Sequence, residues 1–300
     1  MGEFSAEWLA LREPADHRSR DVDLVSLVIE HAAGSAAAPL RVLDLGTGSG
    51  SNARYLLPRL PRQQDWCLVD RDVDLLRELT KRLSAWGLDR GGAISGGATS
   101  FAIRGRECDW RFQLCAADLA KLLDAATAPS LFAPLFAGRA LVTGSALLDL
   151  VSERWLQALV AQCAAVHATV LFVLTYDGRL ACTPADEDDE FVRGLVNRHQ
   201  QTAKGFGRAL GPDANAAAVR LFEAAGYAVQ CRQSDWVLTP VDAALQRPLI
   251  DGWADAAAEI ARKGQDRVRA WQQRRLAHLD AGVSHLVVGH QDLAGWPVAH

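Results

Sequence analysis

The chain has 300 residues, of which 49% are hydrophobic and 23% are charged, and this balance is typical of a globular protein of one or two domains. The formal net charge of -4 gives no attraction for a polyanion, which argues against a nucleic-acid partner. The six cysteines form no C-x-x-C pair, so we expect free thiols and no metal site. A charged N-terminus and the lack of a long apolar run predict a cytoplasmic protein without a membrane segment.

Residues 1–39 are predicted to be a helical segment ahead of the first strand. Two apolar clusters are separated by a charged stretch that contains Arg12, Arg18 and Arg20. A linker of small residues then leads into the strand. The arginines are either a solvated helix face or cations that meet an anionic ligand, and the sequence leaves both interpretations open.

The motif around which the chain is organised follows the first strand. A buried apolar run carries Asp44 near its end, and Gly46, Gly48 and Gly50 come next at alternate positions, before a helical pattern begins. Glycines at a strand–helix turn let backbone approach a ligand closely. The dinucleotide-binding turn is G-x-G-x-x-G, and its third glycine position is Ser51 here. Asp44 would repel a pyrophosphate and suits an ammonium group.

The second strand ends in another acid, Asp70, 20 residues after Gly50. Together, Asp44-x-Gly46-x-Gly48-x-Gly50 and Asp70 resemble motif I and the following strand of the class I S-adenosylmethionine-dependent methyltransferases. The resemblance implies S-adenosyl-L-methionine as the cofactor, with Asp70 on the two ribose hydroxyls. An ordinary strand–helix turn is the alternative.

After the third strand, the acid Asp118 and its neighbour match the family position that meets the adenine amino group. A helix N-cap at Asp118 is the alternative, and the two roles are compatible. The full set of cofactor-binding residues implied by the resemblance is Asp44, Gly46, Thr47, Gly48, Gly50, Asn52, Asp70, Arg71, Asp118, Leu119, Ser145 and Arg18.

The alternation of strands and helices predicts an α/β fold. It is a doubly wound, Rossmann-like sheet of seven strands with the last one antiparallel, plus helical cap insertions. We expect residues 1–39 to lie over the cofactor and residues 40–300 to form the methyltransferase domain. Insertions 179–214 and 241–281 leave the carboxyl ends of strands and should form a substrate cap. The polar composition of 179–214 predicts a mobile lid with few apolar contacts. The glycine-rich stretch 91–97 is predicted to be a loop on the opposite side.

Methyl transfer requires an acceptor in line with the S–CH₃ bond, and a base only when the acceptor is protonated. The catalytic candidates on the cofactor side are His199, Asp149 and Tyr176. An imidazole titrates near neutral pH, which favours His199, although a loop histidine is more often solvated. Trp236 is either an acceptor wall or core. His290 is expected past a short last strand, on the far side of the sheet, and is excluded.

The function that we predict is methyl transfer to a small-molecule acceptor, with oxygen favoured over nitrogen. The fourth strand lacks the Asn/Asp-Pro-Pro-Tyr signature of enzymes that methylate nucleobases and amides. The alternatives are an aminopropyl transferase, an RNA methyltransferase and a catalytically silent cofactor-binding module. An RNA enzyme would need a basic face, and the helix at 262–275 is the candidate, although its mixed charges predict a solvated surface. The oligomeric state stays open.

Overall fold

The computed structural model describes residues 5–32, 38–106, 108–124, 128–261 and 263–298. The strands are β1 (Leu40–Leu45), β2 (Gln63–Asp70), β3 (Ala93–Gly96), β4 (Ser100–Arg104), β5 (Asp109–Ala116), β6 (Leu141–Ser145), β7 (Thr169–Thr183), β8 (Tyr227–Gln233), β9 (Trp236–Leu238) and β10 (His285–Pro297). The helices are α1 (Ala6–Ser19), α2 (Val22–Ala32), α3 (Ser51–Leu56), α4 (Val73–Leu88), α5 (Ala128–Phe136), α6 (Glu153–Ala165), α7 (Asp189–Gln200), α8 (Ala214–Ala224), α9 (Ala243–Ile260) and α10 (Gln265–Asp280). None of the helices within those ranges combines the length and the apolar character needed to cross a bilayer.

The strands form one sheet in the order β3-β4-β5-β2-β1-β6-β7-β10-β8, with β9 also paired to β10. The central strands β5, β2, β1, β6 and β7 run parallel, and β10 runs antiparallel between β7 and β8. Central parallel strands are covered on both faces, which explains the nearly continuous apolar runs of β1 and β7. The predicted fold class, a doubly wound sheet with an antiparallel last strand, is confirmed.

The sheet has ten strands, against seven predicted. The stretch 91–97 is not a simple loop, because β3 and β4 form an antiparallel hairpin that extends the sheet beyond β5. The hairpin lies at the sheet edge, three strands from β1.

The last strand is much longer than predicted, and this moves His290. β10 has 13 residues and β7 has 15, and they pair from His285 opposite Thr183 to Gly295 opposite Val170. His290 lies opposite Tyr176 of β7. Tyr176 is three residues beyond Val173, which pairs with the last residue of β6. His290 therefore lies on the ligand side of the sheet, and the prediction that it lies on the far side was wrong.

The N-terminal segment forms two helices. Helix α1 lies against the glycine turn, since a Cβ atom on Gly48 would come within 3.1 Å of the Leu9 side chain. Helix α2 packs on β7 and β10 and buries Leu24, Val25 and Val28. Parts of the predicted segment, residues 1–4 and 33–37, lie outside the described residues.

The two insertions predicted to form a cap contain three helices, α7, α9 and α10, and α9 packs on both of the others. Helix α7 buries Val192, Leu195 and Val196. The prediction that 179–214 makes few apolar contacts was therefore wrong. Its polar residues hid the apolar stripe of an amphipathic helix.

The acidic run of one insertion pairs with the basic helix of the other. Arg275 is fully buried and donates to both carboxylate oxygens of Asp189, at 2.8 and 2.7 Å. Arg274 donates to Asp186 at 2.6 Å, and the resulting ion pair lowers the pKa of that carboxyl group. The prediction of a solvated basic face was wrong for Arg275. The first residue of the predicted basic stretch, 262, lies outside the described residues.

Candidate active site

The glycine turn after β1 has the backbone conformation that its sequence predicts. Gly46, Gly48 and Gly50 have φ angles of 65°, 53° and 83°, in the left-handed region that glycine adopts without steric penalty. The Thr47 N–H donates to the carbonyl of Val69 at 3.0 Å, which ties the turn to the end of β2. Because its glycines lack Cβ atoms, the turn lets a ligand approach the backbone beside Asp70.

Asp70 is oriented by two backbone donors. One of its carboxylate oxygens accepts from the Gly48 N–H at 2.8 Å and the other from the Asp72 N–H at 3.0 Å. Burial raises the pKa of Asp70, and these hydrogen bonds oppose the shift. A carboxylate has about four lone-pair sites, so each oxygen can still accept from a ligand. The geometry suits two neighbouring hydroxyl groups.

One cavity brings together most of the predicted cofactor residues. Those that line it are Gly46, Gly48, Asp70, Arg71, Asp118, Leu119 and Ser145. Further lining residues lie outside the sequence motif and were not predicted, among them Leu9, Leu75, Leu147, Leu150 and Phe206, and Arg12, an open alternative in the sequence, also lines the cavity. In the described part of the chain, no three His, Cys, Asp or Glu side chains are grouped so as to hold a metal ion.

At the β5 end of this cavity, Asp118 caps a short 3₁₀ helix. Its side chain accepts from the Ala120 N–H at 3.0 Å, and the capping alternative is thus present in the structure. The carbonyl of Leu119 accepts from the Trp155 indole at 2.6 Å, which fixes this stretch of backbone. Asp118 and Leu119 both line the cavity, so capping leaves Asp118 available to a ligand.

Beneath the glycine turn lies a buried polar network centred on Asp44. Asp44 is completely buried and accepts from the Asn52 amide at 2.7 Å, and the Asn52 oxygen accepts from Arg20 at 2.8 Å. The second oxygen of Asp44 and two nitrogens of Arg20 have no partner. Burial raises the pKa of Asp44 to about 6, against the effect of the Asn52 hydrogen bond and the charge of Arg20. Unpaired buried groups of opposite charge fit a zwitterionic ligand, because each would gain a partner.

Arg18 does not belong to this site. Its side chain is 55% exposed and donates to Asp242 at 2.7 Å. Arg12 lies within α1, whereas Arg20 is the C-cap residue of this helix and has extended backbone. Arg12 lines the cavity and Arg20 reaches Asn52. The choice of Arg18 among the three arginines is corrected to Arg12 and Arg20.

Two of the predicted catalytic residues meet beside β7. Asp149 is 8% exposed, and its Oδ1 atom has no partner. Burial raises the pKa of Asp149 to about 6, while backbone N–H groups and the charges of Arg12 and Lys204 oppose the shift. The Tyr176 hydroxyl donates to Asn197 at 2.7 Å, and burial raises the pKa of Tyr176. Asp149 is therefore the group that can change protonation near neutral pH, and Tyr176 stays neutral.

His199, the favoured base, does not line the cavity, and neither do Asp149 and Tyr176, although Leu147 and Leu150 on either side of Asp149 do. Its Nε2 contacts the Glu259 carboxylate at 3.1 Å, and its Nδ1 accepts from the Lys204 ammonium at 3.3 Å. Burial, followed by the charge of Lys204, lowers its pKa. Both ring nitrogens are engaged, so the imidazole connects the cap helix α9 to Lys204 and leaves no free nitrogen for an acceptor.

No family model matches the sequence, and no curated protein matches it. The chain is similar in structure to an S-adenosylmethionine-dependent methyltransferase from Thiobacillus denitrificans, in complex with S-adenosylhomocysteine, with 13% identity, a TM-score of 0.44, and 99% and 100% of the two chains covered. It is also similar to a cyclopropane synthase from Mycobacterium tuberculosis, with 10% identity, a TM-score of 0.46, and 97% and 94% covered. A third similar structure is an O-methyltransferase family protein from Burkholderia thailandensis, with 14% identity and a TM-score of 0.42. The match covers 92% of this chain but only 56% of that one.

Proposed function

We propose that this chain is a class I S-adenosylmethionine-dependent methyltransferase that acts on a small-molecule acceptor. The observation that carries the proposal is one cavity at the carboxyl ends of the central strands. It joins the glycine turn, the preoriented carboxylate of Asp70 and the Asp118–Leu119 backbone. Crevices at this edge of an open α/β sheet are where ligands bind.

The residues present fit S-adenosyl-L-methionine along its whole length. Asp70 would bind the ribose hydroxyls and Asp118 the adenine amino group. The unpartnered oxygen of Asp44 would receive the ammonium of the methionine moiety, and the unpartnered nitrogens of Arg20 its carboxylate. When bound, the cofactor supplies a methyl group activated by the positive sulfonium.

Asp149 is our candidate general base, in place of His199. A hydroxyl acceptor must lose a proton as its oxygen bonds to carbon, whereas a neutral amine needs no base in that step. The Asp149 carboxylate follows β6 directly, and its Oδ1 has no partner. This supports oxygen over nitrogen as the acceptor atom.

The enclosure of the site favours a small acceptor over a macromolecule. Helix α1 contributes Leu9 and Arg12 to the cavity wall, and the segment after α7 contributes Phe206. We propose that the N-terminal helices cover the cofactor and that the cap insertions close over the acceptor. An enclosed site also excludes water from the reacting centre.

Calorimetry with four ligands tests the assignment. S-Adenosylmethionine and S-adenosylhomocysteine should bind, NAD should not, and decarboxylated S-adenosylmethionine should bind more weakly because it lacks the carboxylate for Arg20. Tighter binding of the decarboxylated compound would favour the aminopropyl transferase, and binding of NAD alone would refute the proposal. Release of S-adenosylhomocysteine in the presence of hydroxyl or amine acceptors then separates an enzyme from a silent module.

A further inference from the structure

Several buried polar atoms in and beside β7 have no hydrogen-bond partner, among them Thr175 Oγ1 within the strand. Three others are Oδ1 of Asp149, Nε1 of Trp236 and Nδ1 of His290. The three residues are 8%, 4% and 6% exposed. Folded proteins pair the great majority of buried polar groups, so three orphans in one region require a ligand or water to satisfy them.

The three side chains share the same neighbours. The Arg12 guanidinium lies 5.0 Å from the centre of the Trp236 ring, and its charge acts on both Asp149 and His290. The rings of Trp236 and Tyr176 lie 5.0 and 6.3 Å from that of His290. Backbone of Tyr176 also donates to Asp149. Arg12 also lines the cofactor cavity, so this one side chain connects the three residues to the cofactor site.

The donor and acceptor pattern describes the missing ligand. An indole N–H only donates, so Trp236 requires an oxygen acceptor, whereas an ionised Asp149 only accepts and requires a hydroxyl or N–H group. His290 stays uncharged at neutral pH, because burial and then the charge of Arg12 lower its pKa to about 3. A neutral imidazole next to a guanidinium group can form a hydrogen bond with an oxygen atom of the ligand. The aromatic rings on this side favour a planar molecule.

We propose that Trp236 and His290 form a second-oxygen subsite, and that the acceptor is a small planar compound with two neighbouring oxygens. One oxygen is the hydroxyl that faces Asp149 and is methylated, and the other is held by Trp236 and His290. In the reaction, the hydroxyl oxygen bonds to the methyl carbon while the carbon–sulfur bond breaks and its electron pair goes to sulfur. The hydroxyl proton passes to Asp149. This inference rests on the proposed function and adds the specificity determinants of the same site.

The test compares phenol, which has one oxygen, with catechol and salicylate, which have two. Methyl transfer is measured with S-adenosylmethionine in the wild type and in Trp236→Phe and His290→Phe, which keep a ring and remove its nitrogen. Trp253→Phe in α9 is the matched control for loss of an indole elsewhere. We expect catechol or salicylate to be preferred over phenol in the wild type. That preference should fall about tenfold in both site variants, as one lost hydrogen bond implies, and stay unchanged in the control.

Binding of S-adenosylhomocysteine, measured in the same variants, separates the two proposals. If the wild type does not bind S-adenosylhomocysteine, the proposed function itself is refuted. Retained binding together with equal turnover of phenol and the two-oxygen compounds would overturn only the subsite. The same holds if none of the three compounds is turned over and none raises the melting temperature of the S-adenosylhomocysteine complex. A site variant that loses activity equally toward all three compounds would also overturn it, because a purely structural role predicts that result.

Discussion

Replacing Asp70 with alanine should weaken S-adenosylhomocysteine binding by about 1–3 kcal/mol, or roughly 5- to 150-fold in Kd. A hydrogen bond to a charged group contributes about 1.5–3 kcal/mol, and Asp70 has one oxygen for each ribose hydroxyl. The sum of two such bonds is an upper limit, because water can enter the space left by the carboxylate. The carboxylate is already partly desolvated and paired with the Gly48 and Asp72 N–H groups in the free protein. Little reorganisation therefore offsets the loss.

The assay is isothermal titration calorimetry, with a melting curve for each variant to establish that it is folded. Asp74→Ala is the matched control, because Asp74 is an exposed carboxylate in the first turn of α4 and pairs with Arg77 at the surface. It should leave Kd unchanged. Asp70→Asn removes the charge but keeps one oxygen, so its affinity should fall between those of the wild type and Asp70→Ala. A folded Asp70→Ala protein with wild-type affinity would refute the ribose assignment.

Three further predictions concern the base, the methionine end and the cap. The rate of methyl transfer to a hydroxyl should rise with pH through about 6, because Asp149 must be ionised to accept a proton. In Asp149→Asn, kcat/KM measured from pH 5 to 8 should no longer show this rise and should be lower by roughly 10²- to 10⁴-fold. Arg20→Met should weaken S-adenosylhomocysteine but not 5′-methylthioadenosine, which lacks the amino-acid group; equal weakening of both in calorimetry would contradict its contact with the carboxylate. Arg275→Met should lower the free energy of unfolding in urea by about 3–5 kcal/mol, since it leaves half of a buried ion pair, whereas the exposed Arg269→Met should change it by less than about 1 kcal/mol.

The cofactor half of the site could be predicted because its signals are local in sequence. Gly46, Gly48 and Gly50 specify a left-handed turn wherever they occur after a buried strand. Asp70 was located by strand spacing, since parallel neighbours end at the same edge of the sheet. Arg18 was the exception, because α1 has no continuous apolar stripe that would separate its inner arginines from its outer ones, and its buried residues are only Ala15 and Asp16.

The acceptor half depends on contacts between distant parts of the chain. His290 reaches the site only because β10 continues along the whole length of β7, and strand length is poorly specified by a short apolar run. Its neighbour Trp236 comes from a three-residue strand, and Arg12 comes from the other end of the sequence. The contact between the two insertions could also have been predicted, because an acidic run in one and a basic helix in the other favour ion pairs between them.

A second contact between the two insertions involves His199. Its imidazole lies between Glu259 of the cap and Lys204, and the charge of Lys204 in turn acts on Asp149. We therefore expect His199 to affect the reaction through Lys204 and not by taking a proton from the acceptor. His199→Ala should therefore act like a change at Lys204, by altering the pKa of Asp149. The rise of activity with pH through about 6 should be shifted along the pH axis but still present. If this rise is absent in His199→Ala, His199 is the general base.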